Sequence, residues 1–451
     1  MAHAALPAGL RLFMALYRLI WYPALPLVML YFLMRGRKDR AYLRHMGERF
    51  GGGAGPVGAV WVHAVSLGEM RSAVPLVRAL LDRGDCVVTT HLTPAGRRAA
   101  ETAFATEIAE GRLAACYLPL EFGWAYRRFF RRLRPRLGLV LEIEVWPVMI
   151  LAARKAGVPL FLANSQYPAR SFARDRRLAH WLGHPVRALA GVLAKSETHA
   201  ARFAALGAPN IHVCGELRFD QPIPPALPAA AEALSRAHPA LARRGVVTLA
   251  SVVEGEDDHY LTAYRHVQSE LRRQGLQPPL FIHVPRAPER FSAVGDLLEA
   301  AGQNVLRRSR AFDAQLGPRP GAFDPDADIL LGDSLGEMYF YLALADVVVV
   351  GGGFVKKGAH NVIEPLALRK PVLVGPHVWT IEYPGIEAQA AQVMKVCPEI
   401  PDLAAELLDL LQNRHKLDAM ADRTDSFFAE HAGATRRSLA VIDPLLGPRH
   451  D

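Results

Sequence analysis

The chain has 451 residues, 51% of them apolar and 22% charged, with a formal net charge of +9. That composition excludes a disordered or low-complexity chain, and the length is too great for one ordinary core and suits two domains. The four cysteines (Cys86, Cys116, Cys214 and Cys397) lie far apart with no CxxC pair, which excludes a zinc ribbon and a disulfide framework and suits a reducing compartment.

In chain order, residues 10–34 are apolar apart from Arg11 and Arg18, and RGRKDR follows at once. The uncharged part, Leu19 to Met34, is slightly short for an unassisted membrane span. Pro23 and Pro26 are expected to kink a helix there. A kinked anchor and an in-plane amphipathic segment both fit, with the basic run on the cytoplasmic side. A buried first helix of the globular fold is the bland alternative. No small-residue cleavage site follows, so no signal peptide is expected. GGGAGPVG (51–58) reads as a linker.

From Ala59 short apolar runs (VWVHAV, CVVTTHL, CYLPL, LGLVLEI, PLFLANS, GVLAKS) alternate with helical stretches, the pattern of a parallel, doubly wound sheet. The proline-rich stretch near residues 215–228 reads as an interdomain linker. A second series (GVVTLAS, LFIHVP, DILLGD, DVVVVGG, KPVLVGP, VMKV) follows, and then helices over 402–446 that are long enough to return across both domains. The expected organisation is an anchor and basic linker over 1–50, a Rossmann-like domain over 51–222 and a second over 223–451. The fold class is α/β, with two doubly wound domains facing across a cleft.

Ligands of such sheets gather where strands hand over to helices. In WVHAVSLGEM, Ser66, Gly68 and Glu69 occupy such a turn. Glu69 is either a carboxylate favoured by the helix dipole or a general base. In LEIEVWP, Glu142 and Glu144 end an apolar strand, and a period of two puts both on one face. Arg218 and Asp220 sit beside the expected hinge, where a cation can face a developing anion. In the second domain Pro285-Arg286 ends a strand, and Ser334 to Glu337 opens a helix. The run Asp346 to His377 reads as a buried valine strand, three glycines (Gly351 to Gly353) that let a ligand reach backbone N–H groups, and a helix capped by Asn361 with Glu364 at capping-box spacing. The basic run 127–136 reads as a lipid-facing helix, with Phe129 and Phe130 able to dip into a membrane. No RNA-binding motif, Walker sequence or HExxH is present, so no nucleic acid and no metal is expected.

A set of stretches in one order resembles the 3-deoxy-D-manno-octulosonic acid (Kdo) transferases of lipid A biosynthesis: RGRKDRAYLRHMGERFG, WVHAVSLGE, LTPAGRR, RPRLGLVLEIEVWP, FLANSQYPARS, VCGELRFD, VPRAPERF, LGDSLGEM, GAHNVIEP and PVLVGPH. The resemblance implies a B-type glycosyltransferase fold and transfer of Kdo from CMP-Kdo to lipid IVA, with inversion at the anomeric carbon, on the cytoplasmic face of the bacterial inner membrane. It implies Glu69 as general base and Glu142 and Arg218 as transition-state stabilisers. It also implies CMP contacts from Pro285 and Arg286, from Leu335, Gly336 and Glu337, and from Asn361, Val362, Ile363 and Glu364. The chain departs from the family pattern at Glu216 and Arg218 (usually Asn and Lys), at Val252 and Val253 (usually Thr and His), and at Ala359 and Val362. A paralogue with another acceptor or nucleotide sugar and a non-catalytic membrane-bound binder are the alternative readings; retention of Glu69 favours an enzyme.

Overall fold

The apolar runs form strands, each parallel to its neighbours. The computed structural model describes residues 7–447. The first sheet comprises β1 (Val60–His63), β2 (Val87–His91), β3 (Leu113–Tyr117), β4 (Leu137–Leu141), β5 (Leu160–Ser165), β6 (Gly191–Ala194) and β7 (Ile211–Val213), in the order β3-β2-β1-β4-β5-β6-β7. The second comprises β8 (Val246–Val252), β9 (Leu280–Pro285), β10 (Val305–Arg307), β11 (Ile329–Leu331), β12 (Val347–Val350), β13 (Val372–Val374) and β14 (Met394–Val396), in the order β10-β11-β9-β8-β12-β13-β14.

Strands covered by helices on both faces need no polar alternation. All four residues of β1 and of β12 are buried accordingly. Register follows: Val60 stands opposite Val87 and Leu137, and Val347 opposite Val247. Each sheet reverses its winding once, between β1 and β4 and between β8 and β12. At such a reversal the flanking connections leave in opposite directions and open a crevice at the carboxyl ends of the strands.

The chain forms two compact units. One runs through Gln221 and resumes at Ala432; the other is Pro222–His431. The helices Ile400–Gln412 and Arg414–His431 thus belong to the second unit, whereas the helix Ala434–Leu446 belongs to the first. Its Ala434, Ile442 and Leu446 join the core beneath β1, β2 and β4. Asp220 fixes its start by accepting from the N–H groups of Gly433 and Thr435, each at 2.6 Å.

Several local expectations are corrected. The N-terminal helix Ala8–Lys38 runs through Pro23 and Pro26 without a break. Trp21 and Tyr22 pack edge-on against Phe122 just before the first proline, and Phe32 is buried beyond the second. Both sides of the weak turn are thereby held. One face of this helix, with Leu10, Met14 and Phe32, packs on the first unit; Leu12, Leu16, Leu19, Ile20, Leu27 and Leu30 are more than half exposed. Residues 51–53 are no free linker, since Gly51 and Gly53 are buried and a Cβ on Gly51 would stand 2.1 Å from the Ala125 carbonyl. Phe129 and Phe130 do not face lipid: they are 0% and 5% exposed and pack on Trp61. The helix Gly123–Leu133 turns its aromatic stripe inward and its arginines outward.

Candidate active site

In the first unit the site is built at the β1–β4 reversal. Ser66 caps the helix Leu67–Asp82, its Oγ accepting from the Glu69 N–H at 3.4 Å. Glu69 folds back, its Oε2 accepting from the Val65 N–H at 2.8 Å and its Oε1 from the Ser66 hydroxyl at 3.1 Å. Glu69 is therefore a capping residue, and its chemistry is unusual as well. Burial pushes its carboxyl up to about 7; the Val65 hydrogen bond opposes this, and the nearby Glu144 and Glu142 charges add to it. A carboxylate poised near neutrality can accept a proton in that range.

Glu142 follows the last residue of β4 with a φ of 58°. Strand alternation has ended by then, so the period-of-two reasoning for Glu142 and Glu144 does not hold. The left-handed backbone turns Glu142 into the site, and the Ser165 hydroxyl locks its carbonyl at 2.6 Å. Glu144 accepts from the Trp146 indole N–H at 2.6 Å. The Glu142 carboxylate is met by Lys195 Nζ at 2.7 and 3.0 Å and by Asn164 Nδ2 at 3.2 Å. Lys195 also holds Glu216 at 2.6 Å. Arg218 lies in the 3-10 turn Leu217–Asp220 and donates from Nε to Ser72 Oγ at 2.7 Å, one helical turn beyond Glu69. Its charge acts on both Glu142 and Glu216. Glu69, Glu142 and Arg218, far apart in sequence, thus meet on one sheet edge. Sequence reasoning missed Lys195. Its one signal is a lysine placed directly after the buried strand β6, where a charge needs a partner.

The second unit places its expected residues on the corresponding edge. Gly352 has a φ of 91°, and a Cβ there would stand 2.2 Å from the Gly358 carbonyl, so only glycine fits. The N–H groups of this loop are less open than expected. The buried Glu256 carboxylate accepts from Gly352 at 2.7 Å, Phe354 at 3.1 Å and Val253 at 3.2 Å. Glu256 acts as an internal acceptor in the glycine turn.

Asn361 is not the helix cap. The helix is Ile363–Ala367, with Val362 at its cap position, and Asn361 Oδ1 accepts from the Ile363 N–H at 3.0 Å. Glu364 lies in the first turn of that helix and its charge reaches Tyr339. Pro285 ends β9, and the Arg286 N–H donates to the Val252 carbonyl at 2.9 Å. Burial and the Arg286 charge together hold His360 down at about 4, which puts Arg286 beside the loop that carries Asn361. Leu335 is 70% exposed and Gly336 has a φ of 84°. Glu337 is gripped by Arg308 through Nε at 2.6 Å and Nη2 at 2.5 Å and also accepts from the Ser334 hydroxyl. Its carboxylate is thus engaged internally, leaving the Leu335-Gly336 turn outermost. Among the described residues no group of three or more His, Cys, Asp or Glu is placed to hold a metal ion.

The family model described as 3-deoxy-D-manno-octulosonic-acid transferase matches residues 44–221. A 3-deoxy-D-manno-octulosonic acid transferase of Bordetella pertussis is 42% identical over 392 residues, covering 86% of this chain and 87% of the relative. Its namesake in Haemophilus influenzae is 28% identical over 432 residues, 93% and 96% of the two chains. Among solved structures, a glycosyltransferase from Rickettsia africae superposes with a TM-score of 0.55 at 10% identity, covering 87% of this chain and 99% of that one. This last likeness bears on the fold alone, which is the two-domain B-type glycosyltransferase fold.

Proposed function

The chain belongs to the 3-deoxy-D-manno-octulosonic acid (Kdo) transferase family and is a glycosyltransferase that transfers Kdo; from that premise we propose that it moves Kdo from CMP-Kdo to a hydroxyl of the lipid A precursor lipid IVA, with Glu69 as general base. The observation that carries the reading is the near-neutral Glu69 carboxyl beside Glu142 and Arg218. Glu69 takes the proton of the acceptor hydroxyl. The acceptor oxygen bonds to the anomeric carbon of Kdo as the bond from that carbon to the CMP phosphate breaks, and CMP leaves with the electron pair. One displacement inverts the anomeric centre. Positive charge grows at that carbon in the transition state and Glu142 offsets it; Arg218 answers the negative charge on the departing group. Pro285, Arg286, Leu335 to Glu337 and Asn361 to Glu364 hold CMP. No metal takes part in this scheme.

The protein works on the cytoplasmic face of the inner membrane, attached through the helix Ala8–Lys38. Its exposed leucine face supports this, as does a groove of about 1190 Å³ alongside it. Arg11, Arg18, Arg127, Arg131, Arg134 and Lys155 line that groove over an apolar floor. Such a lining suits anionic headgroups.

The test is incubation of the purified protein with CMP-Kdo, generated in situ, and lipid IVA, read by product mass. A gain of one or more Kdo units, absent with Glu69→Ala, is expected. Release of CMP with lipid IVA unmodified would overturn the acceptor assignment.

A further inference from the structure

The mechanism leaves two buried partners around Glu142, Lys195 and Glu216, without a part. Lys195 stands directly after β6 with a side chain only 3% exposed. A lysine so placed needs its charge matched on the spot. It finds two carboxylates, Glu142 at 2.7 Å and Glu216 at 2.6 Å, the latter also 3% exposed. Asn164 stitches the same pair together, donating from Nδ2 to Glu142 at 3.2 Å and to Glu216 at 2.8 Å. Its Oδ1 accepts from the Leu217 N–H at 2.8 Å. Asn164 and Glu142 both hold positive φ, 51° and 58°, a cost accepted where surrounding bonds fix the geometry. With Arg218 added, two anions face two cations and the cluster is electroneutral.

We propose that Lys195 and Glu216 form a positioning pair that holds Glu142 as an aimed carboxylate toward the reacting sugar. Lys195 binds both Glu142 oxygens and so fixes the rotation of the carboxylate. Glu216 fixes Lys195 in turn, and Lys195 takes up charge that Arg218 would otherwise have to neutralise. The groups facing Glu142 are Lys195, Glu216, Arg218 and Asn164, with Glu144 and Glu69 acting at longer range. Burial drives Glu142 toward its neutral form, and Lys195 is the first-ranked force against that drive. Neither Lys195 nor Glu216 touches substrate in this scheme; both act through Glu142. The inference rests on the reading of Glu142 as a transition-state stabiliser.

The test is a double-mutant cycle on full-length protein in detergent, with kcat, both KM values and the pH profile measured per folded enzyme. Lys195→Gln should lower kcat at least tenfold with both KM values within about twofold. Its activity should also gain an extra dependence on rising pH, because Glu142 then takes a proton more readily. In a Glu142→Gln background the same substitution should change kcat less than twofold, since residues acting as a unit are not additive. Glu216→Gln combined with Lys195→Gln restores electroneutrality and should remove that extra pH dependence, while kcat stays at least tenfold below wild type because the aim of Glu142 is not restored. If Lys195→Gln does not fold, Lys195→Arg serves: it keeps the charge but not the ammonium geometry and should also lower kcat without moving KM. Wild-type kcat in the Lys195 variants, with Glu142→Gln slowed at least tenfold, would overturn the positioning pair alone. Full activity of Glu142→Gln would overturn the reading on which it rests.

Discussion

Replacing Glu69 by Gln should leave the protein more stable at alkaline pH and almost inactive. The amide keeps an oxygen for the Val65 N–H and presents its NH2 to the Ser66 hydroxyl, so both hydrogen bonds at 2.8 and 3.1 Å have a substitute. What disappears is titration. The Glu69 carboxyl sits at about 7 in the folded protein, chiefly through burial, against about 4.3 in an unfolded chain. The folded state therefore holds this proton more tightly. Its stabilising effect is full below the unfolded value and is lost as pH rises through about 7. At roughly 1.4 kcal/mol per pH unit, and discounting for partial exposure, the charged carboxylate costs about 2 kcal/mol at pH 8. For a domain of this size about 2 kcal/mol is roughly 4–8 °C in melting temperature. Glu121 is also pushed up to about 7 by burial, but both proteins carry it and the difference cancels it. Melting curves at pH 5 and pH 8 for both proteins, with transferase rates on the same samples, provide the assay. The melting difference should grow in favour of the variant between the two pH values, while kcat falls by about 10²–10⁴, the usual share of a general base. Wild-type kcat/KM should itself drop as pH falls below about 7. A melting difference that is the same at both pH values, or a variant within tenfold of wild-type activity, refutes the reasoning.

Glu256→Ala should leave three loop N–H groups without their acceptor, at about 1–3 kcal/mol each before water enters; urea unfolding should show a loss of roughly 3–5 kcal/mol, and an unchanged midpoint would mean the carboxylate does not anchor the turn. Gly352→Ala should abolish folding of the second unit, because its φ of 91° and the Gly358 carbonyl at 2.2 Å leave no room for a methyl; circular dichroism of the variant checks this. Reversing Arg127, Arg131 and Arg134 to Glu should weaken sedimentation with vesicles containing acidic phospholipid by at least 100-fold, at about 1 kcal/mol for each arginine removed; unchanged binding would leave the apolar helix as the sole attachment.

Much of this molecule is legible in its sequence, for a definite reason. Parallel strands buried on both faces read as unbroken apolar runs, so Val347–Val350 and Leu137–Leu141 are visible without any partner. The edge strands β7 and β10 are not. Each has three residues; those of β7 are half-buried or exposed, and Arg307 in β10 answers Asp296 and Glu299 rather than a core. Glu69 is legible because its cap and its chemistry share one local motif. Lys195 and Glu256 are not, because their meaning comes from partners delivered by other strands: Glu142 and Glu216 for the lysine, the glycine turn for the glutamate. The inward rotation of Phe129 and Phe130 is also a tertiary fact, set by Trp61 beneath them. A basic run conceals which face of its helix is apolar until that periodicity is read.

The membership of the helix Ala434–Leu446 in the first unit makes the second unit an insertion, and this bears on how the protein is born. The ribosome completes the seven strands of the first sheet, then makes all of Pro222–His431, and only afterwards supplies Ile442 and Leu446 to the core beneath β1. At 5–20 residues per second that is a delay of roughly 10–45 s. During it the apolar surface destined for that helix is exposed, while the inserted unit has everything it needs to fold. A nonsense codon near residue 431 would therefore spare the inserted unit and ruin the half synthesised first.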